Sequence, residues 1–135
     1  MKKIAIIFLL AFGLMASSTI ADSTEAGITN TEPKYLTSDS FNQVINTGIV
    51  VVEFVASFVE PFEDWADIKD GEYYRVDIEK YPELKKKYKV RSIPTIIVFN
   101  NGSSELTYKA NIMLELDVTA NEIHEDIEDL LSNKF

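Results

Sequence analysis

Few residues in this chain of 135 could carry covalent chemistry. Glu53 lies inside the apolar run from Ile49 to Ala56, and a buried carboxylate there is a candidate general acid or base. Ser57 follows as a nominal nucleophile. His124 is the only imidazole, and it sits among the acids of the C-terminal stretch. Cysteine is absent altogether. Thiolate attack, zinc–thiolate ligation and thioether attachment of haem therefore have no residue to use. One histidine cannot build a His-based metal cluster, so neither a metal nor a cofactor is expected. A Ser-His-acid triad around Ser57 would require His124 to cross the fold. Glu53 keeps two readings. It is an acid–base group with no nucleophile or metal to assist, or a carboxylate that pairs with a nearby lysine or reaches water.

The elements that must position these residues follow from local pattern. Lys34–Leu36 suits a short strand. Thr37-Ser38-Asp39-Ser40 offers N-caps to a helix whose Phe41, Val44 and Ile45 share one face, and Gly48 ends it. The β-branched run from Ile49, apolar apart from Glu53, predicts a central strand covered on both faces. Pro61 suits the first turn of a helix, with Glu60, Glu63 and Asp64 at its positive end. Phe62, Trp65 and Ala66 would form its apolar stripe, over two to three turns ending at Asp70-Gly71.

Glu72–Ile78 reads as a strand with Tyr74, Val76 and Ile78 on one face. Pro82–Tyr88 reads as a short helix. Its Lys85-Lys86-Lys87 run is a solvated face or a basic binding patch. Thr95–Phe99 is a second β-branched strand, Asn100-Asn101-Gly102 a hairpin turn, and Glu105–Lys109 the returning strand, with Leu106 and Tyr108 facing one way. Thr119-Ala120-Asn121-Glu122 is a capping box for a last helix lined by Ile123, Ile127, Leu130 and Leu131. The order β-α-β-α-β-α-β-β-α predicts an α/β fold, a mixed central sheet with helices on both faces.

The N-terminus stands apart. Lys2 and Lys3 precede an apolar run from Ile4 to Met15, and small residues follow. That is the pattern of a secretory signal peptide, residues 1–21, cleaved near Ala21 or, as second choice, after Ala16-Ser17-Ser18. The alternative is an uncleaved N-terminal anchor; a lipid-modified junction is excluded without cysteine. Residues 22–33 read as a flexible linker, and 34–135 as one domain. The expectation is therefore export, periplasmic or secreted, with no stable membrane anchor after cleavage. Cleavage removes two lysines and no acid, so the formal charge moves from −9 to −11. So acidic a surface repels phosphate backbones and anionic lipid, which argues against nucleic-acid partners. The chain is read as a monomer.

Several motifs then occur in the order of one family. Tyr35–Phe41, Val51-Val52-Glu53-Phe54, Tyr88-Lys89-Val90-Arg91-Ser92-Ile93-Pro94-Thr95 and Phe99-Asn100-Asn101-Gly102 resemble the successive signatures of the thioredoxin-like superfamily. The likeness runs from about Lys34 to the C-terminus. Phe58, Val59, Glu60, Pro61 and Phe62 stand where that family has Trp-Cys-Gly-Pro-Cys, so Val59 and Phe62 occupy the former cysteine positions. Glu53 replaces an aspartate that relays protons to the buried cysteine. The helix after Pro61 is shorter than usual, Ala110 replaces a common glycine, and Asn111–Val118 looks inserted.

The resemblance implies a thioredoxin fold, a cis peptide before Pro94, an outward-facing Val59 and an inward-packed Phe62. It also implies Ile93 backbone groups free to pair with an extended peptide or a protein partner. Phe58, Val59, Pro61, Ile93 and Pro94 are then the candidate binding surface; the other reading is that Pro94 only shapes a core turn. An apolar rim is equally what drift leaves once the thiols are lost. Two functions follow: a redox-inactive binding protein of the cell envelope, or an accessory member of a thiol–disulfide pathway that transfers no electrons. A non-redox enzyme has no nucleophile–base pair, phosphate loop or metal cluster to support it.

Overall fold

The computed structural model describes residues 32–133. The expected signal peptide and residues 22–31 of the expected linker lie outside the described residues. Pro33 at the linker's end is buried.

Five strands form one sheet. They are β1 (Lys34–Tyr35), β2 (Ile49–Val55), β3 (Glu72–Asp77), β4 (Thr95–Asn100) and β5 (Ser103–Lys109). Their spatial order is β1-β3-β2-β4-β5. β1, β3 and β2 run parallel; β4 and β5 are antiparallel to their neighbours. The helices are α1 (Ser38–Ile45), α2 (Pro82–Lys87) and α3 (Ala120–Ser132). This is the mixed α/β architecture expected, with one helix replaced.

β2 is central because both its faces are apolar. Val50, Val52 and Phe54 enter one core with Phe41 and Ile45 of α1, Leu84 of α2, and Phe99. Phe41, Phe54, Tyr88 and Phe99 interlock there, and the Phe41–Phe99 pair is edge-on with centroids 5.7 Å apart. Such pairs add about 0.5–1.5 kcal/mol beyond the area they bury. Val51 faces the other way, into a second core with Ile68, Ile96, Val98 and the Ile123–Ile127 stripe of α3. Thr119 caps α3 through the expected box with Glu122. Leu131, expected on the same stripe, is exposed in the last turn of α3.

The helix expected after Pro61 is not an α-helix. Only a short 3-10 helix forms, Glu63–Asp67, kinked at Asp64, and Ile68 after it is extended. Two causes act together. Glu60, Glu63, Asp64 and Asp67 fall three and four residues apart, so an α-helix would stack like charges along one side. The Phe62 carbonyl, which would accept the N–H four residues on, instead accepts Arg75 Nη2 at 2.8 Å. The expected stripe is therefore incomplete. Phe62 packs partly against the second core, Trp65 lies against Tyr73 with centroids 5.7 Å apart, and Ala66 is exposed.

Candidate functional site

The polypeptide leaves β2 at Val55 and turns sharply. Val59 N–H donates to the Ala56 carbonyl at 3.2 Å, and Ser57 N–H donates to Glu79 Oε1 at 3.0 Å. That turn lifts Phe58 out of the fold, 67% exposed. Val59, expected to face water, is half-buried and packs against the first core. Phe62 turns to the opposite core. The two former cysteine positions thus lie against different sides of the sheet.

Across from this turn, the Ile93–Pro94 peptide is cis. Both side chains are buried, so Ile93 is not part of an exposed rim as the sequence suggested. Its backbone is another matter. The Ser92 carbonyl accepts Thr95 Oγ1 at 2.5 Å and the Pro94 carbonyl accepts Ala110 N–H at 3.1 Å. Among the described residues, Ile93 N–H and C=O take part in no hydrogen bond.

The third wall was not anticipated. Asn111–Val118 is an ordered loop built on one side chain. Asn111 Oδ1 accepts Met113 N–H at 2.7 Å and Glu115 N–H at 3.2 Å, and Asn111 Nδ2 donates to both Asp117 oxygens. This cage pushes the intervening apolar residues outward. Ile112 is 96% exposed and Met113 70%. Leu114 is held at φ 64, a left-handed conformation that costs a branched residue roughly 1–2 kcal/mol. The signal available in the sequence was Ile112-Met113-Leu114 itself, an apolar triplet between turn-forming polar residues.

Phe58, Ile93, Ile112 and Leu114 line a groove of about 480 Å³, whose far wall carries Lys85, Val90 and Arg91. Leu114 divides it from a second hollow of about 390 Å³ lined by Glu60, Pro61, Glu63, Pro94 and Glu115. A larger hollow, about 540 Å³, lies on the other flank of the Ser57–Val59 turn against Tyr35 and Tyr81. It has no cluster of exposed apolar side chains.

A family model for thioredoxin matches residues 32–125. The chain belongs to the thioredoxin family. The thioredoxin of Mycoplasmoides gallisepticum is 35% identical over 79 residues, covering 51% of this chain and 79% of that one. The chloroplastic thioredoxin Y1 of Arabidopsis thaliana is 27% identical over 127 residues, covering 86% and 70%. Among solved structures, a mutant thioredoxin from Halobacterium salinarum superposes with a TM-score of 0.60 at 21% identity, covering 73% of this chain and 89% of that one. This thioredoxin-family chain lacks both cysteines of the family's dithiol, so it has no thiolate for exchange.

The remaining chemistry-bearing groups are engaged elsewhere. Glu53 is wholly buried and takes three hydrogen bonds: Tyr73 hydroxyl at 2.8 Å, Arg75 Nε at 2.9 Å and Phe62 N–H at 2.7 Å. Its partner is an arginine one strand away, not the lysine or water expected. Burial, and then the Glu53 carboxylate, push the Tyr73 hydroxyl pKa well above its ordinary range. With both oxygens engaged and the side chain wholly buried, Glu53 serves as an anchor between β2, β3 and the Phe62 backbone.

His124 is half-buried on α3 with Nε2 2.7 Å from Glu128, while Nδ1 lies 3.7 Å from Asp70. Ligand-type atoms of Asp70, His124 and Glu128 lie within 4.8 Å of one another, a clustering that one histidine in the sequence did not reveal. Asp70-Gly71 precedes β3, whereas Ser57 lies beyond the other end of β2, so His124 does not reach Ser57.

Proposed function

We propose that this protein is a redox-silent binding module that holds an extended, apolar segment of a partner in the groove beside Ile93–Pro94. One observation carries the reading: exposed Phe58, Ile112 and Leu114 line the same groove as Ile93, whose backbone N–H and C=O have no partner among the described residues. Water-facing apolar groups of this size rarely cluster without a use. Unpaired main-chain groups beside them suit pairing with an added extended peptide, alternate side chains of which would meet the apolar walls. Catalysis is not part of the proposal, because Glu53 is wholly buried in an ion pair with Arg75 and both its oxygens are engaged.

The reading includes export to the cell envelope, supported by the basic, apolar and small-residue succession at the N-terminus. Mass spectrometry of the protein from its own cells would show a chain beginning near Asp22; an intact Met1 would overturn that part.

The binding reading is tested with a panel of labelled peptides and the Phe58→Asp, Ile112→Asp double variant. Both positions are exposed, so circular dichroism should be unchanged. Affinity for apolar peptides should fall about tenfold or more. Equal affinity in wild type and variant would exclude the groove.

A further inference from the structure

The groove is electrically polarised, and its polarity identifies what it takes. Resting on the peptide-binding reading above, we infer that the occupant is a segment with an acidic flank, an apolar centre and a flank that is neutral or basic. The chain is strongly acidic, yet five of its 13 Lys and Arg fall between Lys85 and Arg91. Local structure gathers them. Val90 N–H donates to the Lys85 carbonyl at 2.9 Å, and Lys89 sits at φ 56, so the chain folds back on the end of α2.

Lys85 and Arg91 consequently line the groove itself. The same two, with Lys86 and Lys89, line an adjoining hollow of about 370 Å³ that continues from it. Neither cavity has an acidic lining residue. Among the described residues none of these four cations has an ion-pair partner. A solvated lysine face explains cations that point away from a cavity; it does not explain Lys85 and Arg91 in the wall of an apolar one.

Beyond Leu114 the sign reverses. The hollow there is lined by Glu60, Glu63 and Glu115 with no cation. A peptide crossing Leu114 would therefore pass from a positive to a negative field within its own length. Carboxylates are favoured on the α2 side and repelled on the other. Like charges set against each other suppress wrong registers as well as wrong partners, so the arrangement selects sequence and direction together.

Fluorescence anisotropy with purified protein tests this. The probes are peptides of about ten residues sharing a central Leu-Phe pair, with acidic–basic, neutral–neutral, basic–basic and acidic–acidic flanks, each sequence also synthesised reversed. At low salt, one orientation of the acidic–basic peptide should bind at least about tenfold tighter than the basic–basic one, and tighter than the acidic–acidic one. Raising salt to about 0.5 M should narrow the gap severalfold.

The Lys85→Glu, Arg91→Glu double variant, exposed at both positions, should invert the preference while retaining the wild-type circular dichroism. Equal affinity across all flanks, or an unchanged preference in that variant, overturns the inference. If the neutral peptide still binds and loses affinity in Phe58→Asp, the groove reading survives that failure. If no peptide binds, both fall together.

Discussion

Glu53 and Arg75, adjacent across β2 and β3, grip the two backbone polar groups of a third residue, Phe62. The carboxylate accepts Phe62 N–H at 2.7 Å, the guanidinium donates to the Phe62 carbonyl at 2.8 Å, and the pair closes on itself at 2.9 Å. The charges are fully desolvated, so the arrangement is costly to break on one side only. Glu53→Ala should lower unfolding free energy by about 3–5 kcal/mol, because it strands a buried cation and the Phe62 N–H. Glu53→Leu with Arg75→Met should cost less than either single change. Urea melts of Glu53→Leu, Arg75→Met and their double variant, beside Glu53→Ala, decide it. Simple additivity would mean that the clamp is not a coupled unit.

Alkaline pH should expose the same clamp. Burial raises the Tyr73 hydroxyl, and the neighbouring Glu53 carboxylate raises it further against a smaller opposing pull from Arg75. Tyr108 is raised by burial and by its hydrogen bond to Asp126. Above about pH 10 the unfolded chain releases these protons while the folded chain retains them, so stability falls as pH rises. Below that the contribution is complete and flat. For Tyr73 the slope approaches about 1.4 kcal/mol per pH unit; half-exposed Tyr108 adds less because water screens it. Tyr73→Phe should flatten the alkaline limb of a stability–pH profile. An unchanged slope would show that Tyr73 ionises freely in the folded state.

The hairpin joining β4 and β5 offers a local test. Asn101 and Gly102 have φ of 52 and 91, the pair of left-handed residues that a two-residue hairpin requires. A Cβ at Gly102 would also meet the side chain of Asn46, which caps α1. Gly102→Ala should cost roughly 1–2 kcal/mol through its backbone alone, and Asn101→Gly nearly nothing. Thermal melts of the two variants should separate by several degrees.

What was legible in the sequence was what local rules govern. The Thr119–Glu122 box, the Asn101-Gly102 turn and the two-faced strand β2 each involve residues within four positions, or a burial pattern written along one segment. The segment after Pro61 carried equally good local signals for a helix. It forms only a 3-10 helix, where its acids would stack along one side of an α-helix and Arg75, 13 residues from Phe62, engages the Phe62 carbonyl. Glu53 was recognised as anomalous, but its partner lies 22 residues away and is set by strand register. At the site, the sequence pointed to the Phe58 turn and to Ile93–Pro94. It missed the wall made by Ile112–Leu114, since nothing in an inserted segment says which neighbours it will face.

That wall supplies the most direct trade between stability and binding. Leu114 is held left-handed by the Asn111 hydrogen bonds on either side of it, and its side chain divides the two oppositely charged hollows. A branched residue in this conformation is unfavourable by about 1–2 kcal/mol, and glycine carries no such penalty. Leu114→Gly should therefore raise unfolding free energy, by up to about 1 kcal/mol once the lost apolar contact and the added freedom of the unfolded chain are set against the strain. The same change should weaken apolar peptides severalfold and blur the discrimination between flanking charges, because the partition between the hollows is gone. Leu114→Ala keeps the strain and loses the partition, so it should weaken binding without stabilising the fold. Urea melts and peptide anisotropy on both variants separate the two effects. If Leu114→Gly were destabilised and bound as wild type does, the residue would be a packing element of the loop with no part in recognition.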